Sequence, residues 1–394
     1  MTRQVIAILF TSIFISINVI GQPTQITDTT YYFDSNKIKS IVLFKVKGND
    51  TLRQGKATFY YITGNLWQTG SFSNDKMDGE WEAYFPDKNI KRRVHFNDGI
   101  KNGKVTNYYD NGKLKLKAYY LNDSLNDTMT LFYSTGIIKE TRFYIKSKIN
   151  GMTTGFSANG NISYRINFVD SIQKGLYEKY FLSGKLKEKG YIDDQQFYGE
   201  YKSYYENGQI KQQYSYNAFV IDGPYLVFYE NGNSMIIANY ANGKIKGKWS
   251  QYYNDGSLYE SGLYTDGKRE GEWLTFYPDS TVYMKGDYKQ GNAEGLWEVY
   301  YPNGKLKQKG KFTDGKSGGS WKFYYDNGNI RIQGKYVNGI KEDHWVQYYE
   351  SGKVKLDLYY VAGKLNGILT AYDENGKIAE QAEYKDDNLI RQIR

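Results

Sequence analysis

A chain of 394 residues would ordinarily divide into two or three globular domains. The composition, rich in tyrosine and glycine and with only 5 prolines, argues against disorder, and no apolar run after residue 21 is long enough for a transmembrane helix. The net charge of +9 comes from lysines and arginines spread along the chain, which reads as a solvated basic surface with a general attraction to anions. No cysteine is present, which excludes a disulfide framework, a lipidated cysteine and thiol chemistry.

Residues 1–21 stand apart. Arg3 precedes an apolar run from Val5 to Ile20, and Val19 and Gly21 place small residues before a cut after Gly21. This is the pattern of a secretory signal peptide, with an uncleaved anchor as the alternative. The mature chain is therefore expected outside the cytoplasm: periplasmic, cell-surface or secreted. Residues 22–54 read as a polar linker, QPTQITDTT, followed by an imperfect cap repeat in which Asn36 takes the place of a turn glycine.

From residue 55 to 390 the chain is one unit copied about fourteen times, with 391–394 as a tail. The unit is clearest at Gly295–Gly318, GLWEVYYPNGKLKQKGKFTDGKSG. Its turn glycine recurs at Gly112, Gly208, Gly232, Gly256, Gly304, Gly328, Gly352 and Gly376, among others, in steps of 24 or multiples of it. A period running nearly end to end means a single repeat array, which overrides the prior from length. The copies between residues 121 and 172 are the weakest, with Asp123, Asp127, Ser147 and Ser171 standing where glycine is usual.

Each copy reads as strand, turn, strand, turn, with no helical period. Asn-Gly between aromatic and aliphatic runs predicts a two-residue type I′ hairpin at Asn303-Gly304. Counting outward pairs Tyr301 with Leu306, Val299 with Gln308, Trp297 with Gly310 and Gly295 with Phe312, all on one face. Each large ring would then cover the glycine across from it. On the other face Tyr300 would meet Lys307, and acid–base pairs recur at Glu298/Lys309, Glu82/Arg93 and Glu178/Lys189. A four-residue loop would follow, setting Phe312 beside Gly319 and Gly310 beside Trp321. The expected fold is all-β: an elongated, twisted, single-layer antiparallel sheet of repeated hairpins, a rod on the order of 130 Å at roughly 4.8 Å per strand.

The pattern of aromatic pair, Asn/Asp-Gly, Lys, Leu/Ile, Gly, aromatic and a second Asp-Gly-Lys turn resembles MORN repeats. The likeness is strongest to the bacterial MORN variant, W-x-x-Y-Y-x-N-G-K-[LI]-K, over roughly residues 55–390. The choline-type cell-wall-binding repeat is also similar, but its unit is shorter, and the strict 24-residue step favours MORN. The resemblance implies a scaffold or binding role without catalysis. It also brings an antitoxin-like component, phospholipid contact and protein assembly as roles found among relatives.

Catalytic and metal patterns are not found. His95 and His344 lie far apart and are replaced by unlike residues in other copies, no glycine-rich loop opens a helix, and each Asp-Gly turn offers one carboxylate. No cofactor or metal is expected, and the chain is not expected to be an enzyme. The candidate binding face is the row Trp81, Trp249, Trp273, Trp297, Trp321 and Trp345, whose rings either pack on glycine or form an exposed track. The expected partner is another protein; the alternatives are envelope polysaccharide or anionic lipid headgroups. Lysine and tyrosine interleave as single-strand binders do, but export argues against nucleic acid.

Overall fold

The computed structural model describes residues 24–48 and 50–394, so the expected signal peptide and its cleavage site lie outside the described residues. Among the described residues the chain forms 36 β-strands and no helix, and the paired strands run antiparallel. Two compact units divide it, one ending at Gly160 and the other beginning at Asn161. Within each, a strand pairs with its neighbours in sequence, giving a layer of successive hairpins. The stretch expected to be a linker instead supplies the first strand, Gln25–Tyr31, which pairs with Ile38–Lys47. Its threonines favour a pleated strand, and the Thr30 and Ser40 hydroxyls bond at 2.7 Å across the pair.

The register along most of the long hairpin is the expected one: Gly295 pairs with Phe312, Trp297 with Gly310, Glu298 with Lys309 and Val299 with Gln308. It departs at the turn. The Gly304 N–H donates to the Tyr301 carbonyl at 2.9 Å and the Tyr301 N–H to Lys305 at 2.8 Å. Gly304 has φ +76°, whereas Asn303 keeps a negative φ. This is a type I turn followed by a left-handed glycine, a three-residue loop with a bulge, and not a type I′ turn. Pro302 suits it, because its ring holds φ near the value a type I turn needs at the second position. The extra residue slips the ladder, so Tyr300 pairs with Leu306 and not with Lys307.

The type I′ geometry sits at the other turn. Thr313 pairs with Lys316 around Asp314 (φ +48°) and Gly315 (φ +77°), a two-residue loop where four residues were expected. Phe312 accordingly faces Ser317 instead of Gly319. The next step takes up the difference: from Lys311 to Lys309 is two residues, while from Gly318 to Lys322 is four. This bulge turns on Gly319 at φ +65° and still brings Trp321 beside Gly310, as expected.

The interior is a row of aromatic rings. Trp81, Trp273, Trp297, Trp321 and Trp345 lie over Gly70, Gly262, Gly286, Gly310 and Gly334, where a methyl group would overlap the indole. Trp249 packs with Ala238. The ring on Gly310 is therefore that of Trp321, not Trp297. Trp297 leans the other way because its indole N–H donates to the Asp287 carbonyl at 3.1 Å, and Trp81, Trp273 and Trp345 make the equivalent bond. Edge-on rings close the gaps: Tyr288 and Phe312 flank Trp297 at 5.1 and 5.8 Å between centroids.

Candidate functional site

Trp81 in the first unit and the other five tryptophans in the second each lie on the face that covers the small residues, but each is only 2–9 % exposed. Cationic stems cover part of what remains: Arg269 lies 3.9 Å from the Trp273 ring centroid and Lys341 4.7 Å from that of Trp345. The row is packed interior and offers little area for a ligand to stack on.

The turn glycines serve a frame along one edge. Gly112, Gly208, Gly232, Gly256, Gly304, Gly328, Gly352 and Gly376 each donate an N–H back across their own turn. Where the second aromatic of a copy is tyrosine it reaches forward: the Tyr301 hydroxyl donates to the Tyr324 carbonyl at 2.8 Å, and Tyr61, Tyr109, Tyr205, Tyr253 and Tyr349 repeat the bond. This is where the lysine expected on Tyr300 lies; Lys307 sits over the Tyr301 ring at 5.5 Å, as Lys115 does over Tyr109 and Lys211 over Tyr205. The slip at the turn moves the lysine from one tyrosine of the pair to the other.

The face opposite the tryptophans is open. By strand alternation it carries the large exposed apolar side chains, among them Tyr119, Phe143, Tyr191, Leu263, Leu296 and Tyr359. Acid–base pairs punctuate it. Arg93 Nε donates to Glu82 at 2.7 Å, Lys189 approaches Glu178 at 3.5 Å, and Glu298 is held by Lys285 at 3.0 Å. Burial acts to raise the Glu82 carboxyl, but hydrogen bonds from Tyr84 and Arg93 outweigh it and hold the group below the usual carboxylate range. Burial and the same contact with Glu82 push the Tyr84 phenol up to about 12.

Two depressions interrupt these surfaces, neither of them evident from the sequence. One, of about 470 Å³, opens at Ser203, which is smaller than most of its counterparts in other copies. Glu188, Ser203 and Gln212 lie side by side across three strands, with the rings of Phe181 and Tyr205 and the lysines Lys187 and Lys211 around them. The Glu188 carboxylate accepts from Tyr201 at 2.6 Å and Tyr177 at 3.0 Å, with Lys179 at 3.2 Å. Burial would raise Glu188, yet these donors keep it low, so it stays an acceptor at neutral pH. The second, of about 330 Å³, lies on the open face among Leu296, Lys309, Lys311, Ser320 and Lys322. No cluster of histidine or carboxylate groups suited to a metal ion occurs among the described residues.

The family model described as the MORN repeat variant matches nine spans: 77–98, 101–122, 197–218, 221–242, 269–290, 293–314, 318–338, 344–362 and 365–386. No curated protein matches the chain. Among solved structures, the crystal structure of TcdB2-TccC3-Cdc42 is 12% identical over 92% of this chain and 25% of that one, with a TM-score of 0.17. The Photorhabdus luminescens Tc holotoxin pore is 10% identical over 89% of this chain and 26% of that one, at a TM-score of 0.13. The chain thus spans about a quarter of these structures' length, and at such scores neither informs its fold or function. The nine family spans fall on the hairpins whose turns, tyrosine bonds and glycine-seated rings recur copy after copy, and the chain is a MORN-repeat protein of the variant type.

Proposed function

We propose that the protein is a non-catalytic, exported scaffold that binds another protein on the face opposite the tryptophans. MORN repeats are generally associated with protein and membrane binding. The observation that carries the finer reading is the contrast between the two faces. One is spent on internal packing, while the other exposes Tyr191, Leu263, Leu296 and Tyr359 by 36–51 % with charged groups between them. Exposed aromatic and aliphatic side chains ringed by polar ones are what a partner's surface would bury. Export rests on Arg3, the apolar run to Ile20 and the small residues ending at Gly21. N-terminal sequencing should begin near Gln22; recovery of residues 1–21 on a soluble cytoplasmic protein overturns that half.

The binding half is tested with envelope fractions and two variants. Leu263→Glu with Tyr359→Glu should lose the protein band retained by wild type, whereas Lys355→Gln at the turn edge should keep it. Equal retention by all three overturns the reading. Glycan binding is the second reading, favoured by the Glu188 depression, where ring walls flank a carboxylate, a hydroxyl and an amide as in sites for polyhydroxyl ligands. It predicts saturable binding of soluble envelope oligosaccharide that Glu188→Gln weakens.

A further inference from the structure

Lys309 and Lys322 are paired directly across neighbouring strands, a position in which like charges repel. One copy earlier the same place holds an attractive pair, Lys285 and Glu298. Lys189 and Lys202 are also set opposite each other, but there each lysine has its own acid: Lys189 approaches Glu178 at 3.5 Å and Lys202 approaches Glu200 at 2.8 Å. Lys311 and Ser320 complete the rim of the depression around Lys309 and Lys322, with Leu296 at one end. Among the described residues, none of these three lysines has a carboxylate in ion-pair contact. Glu298, which lies across the ladder from Lys309, is engaged by Lys285 at 3.0 Å and by the Tyr300 hydroxyl at 2.7 Å.

A second feature converges on the same spot. In neighbouring copies an acid caps the type I′ turn that follows it. Glu294 accepts the Asp314 N–H at 2.9 Å, Glu342 that of Ala362 at 2.7 Å, and Glu270 that of Gln290 at 2.9 Å. Asp78 and Asp222 do the same for Asp98 and Asn242. At the corresponding place in this copy stands Gly318, paired with Lys311 and next to the lysine rim. A carboxylate is thus missing in the copy where the one acid facing the opposed lysines, Glu298, is already held by Lys285.

We propose that this depression is a binding site for a multiply charged oxyanion, a phosphate or sulfate group borne on a small polar body. Lys309, Lys311 and Lys322 supply the charge, the Ser320 hydroxyl supplies a neutral hydrogen bond, and Gly318 leaves no carboxylate beside Lys311 to compete for it. A bound anion turns the Lys309/Lys322 repulsion into attraction to a common partner. The site shares the open face and Leu296 with the protein-binding surface above but does not rest on that reading.

Calorimetric titration of the full chain at physiological salt tests this with two probes, pyrophosphate and a sulfated disaccharide. Saturable binding of either supports the site, and which one binds identifies the group. Lys311→Gln and Lys322→Gln should each weaken binding about tenfold, the loss expected for one charged hydrogen bond. Lys307→Gln, whose amine lies over the Tyr301 ring at the turn edge, should leave it unchanged. Gly318→Glu restores the acid of the neighbouring copies and should abolish binding with the fold intact; a side chain fits there, since a Cβ would meet nothing closer than Thr313 Oγ1 at 3.8 Å. No saturable binding of either probe, or equal weakening by Lys307→Gln, overturns the proposal.

Discussion

At the scale of the residue, the indole–glycine contact is the most exacting feature, because a methyl group at Gly310 would overlap the Trp321 ring. Gly310→Val should therefore cost about 1–3 kcal/mol despite valine's preference for strands. Trp297→Ala should cost about 3 kcal/mol through the lost ring and its bond to Asp287. Melting curves of a double-mutant cycle identify the ring. Gly310→Val should be strongly non-additive with Trp321→Ala and nearly additive with Trp297→Ala; the reverse would restore the register-based expectation. The face, and the register from Gly295 to Val299, were legible in the sequence, because alternation and a fixed step leave few ways to place Trp297, whereas the pairs next to each turn were not. The lean of the ring was not, since backbone pairing does not say which neighbour a side chain covers. A signal existed: across the ladder Trp81 pairs with Val94 and Trp345 with Leu358, whereas the residues actually beneath the six rings are Gly70, Ala238, Gly262, Gly286, Gly310 and Gly334. Only the second set is uniformly small. The oxyanion depression was illegible because lysines at every other position look like any solvated face until Gly318 is seen to stand where an acid belongs.

At the scale of the element, the two turns of each hairpin differ in what they demand. The type I′ turn needs positive φ at both central residues, which Asp-Gly or Asn-Gly gives cheaply. Between residues 121 and 150 that demand falls on Asn122-Asp123 and Lys146-Ser147, at φ +51°, +61°, +47° and +64°. The interior there is also poor: Arg142, ion-paired with Glu140 at 2.9 Å, stands where glycine lies under the tryptophans, and the buried Thr153 hydroxyl has no hydrogen-bond partner. Amide hydrogen exchange should be faster over these copies than over residues 250–350; uniform protection would contradict this. Lys146→Asn should raise stability by about 0.5–1 kcal/mol, because asparagine tolerates the left-handed region better than lysine. An unchanged melting temperature would show that the strain is relieved elsewhere. The sequence marks this stretch as weak through its missing glycines, but it assigns type I′ to the wrong turn. Asn-Gly is the stronger hairpin signal in general, and here it masks Pro302, whose fixed φ suits a type I turn.

At the scale of the whole molecule, the dominant titration is that of the phenols. Burial first, then carboxylate neighbours, raises Tyr84 to about 12 and pushes Tyr201 up, while burial and a neighbouring phenol raise Tyr336, and burial with a nearby carboxylate raises Tyr360. A pKa raised on folding favours the neutral phenol in the native state. The associated stability is complete below the unfolded value of about 10 and is lost as pH climbs through the folded values. Melting temperature should thus hold steady on approaching pH 10 and fall beyond it, in step with tyrosinate absorbance. Ionisation of all tyrosines near pH 10 without loss of structure would refute the burial. A different consequence follows from the tyrosine bonds along the turn edge. Each hydroxyl, from Tyr301 to Tyr324 and from Tyr325 to Tyr348, spends itself on the very next copy and no farther. Such a chain can lengthen or shorten by whole units without rewriting any copy but those at the splice. A single-residue insertion, by contrast, would part a tyrosine hydroxyl from the carbonyl it serves, leaving that copy without the bond, as the copies with Phe85 and Phe181 already are.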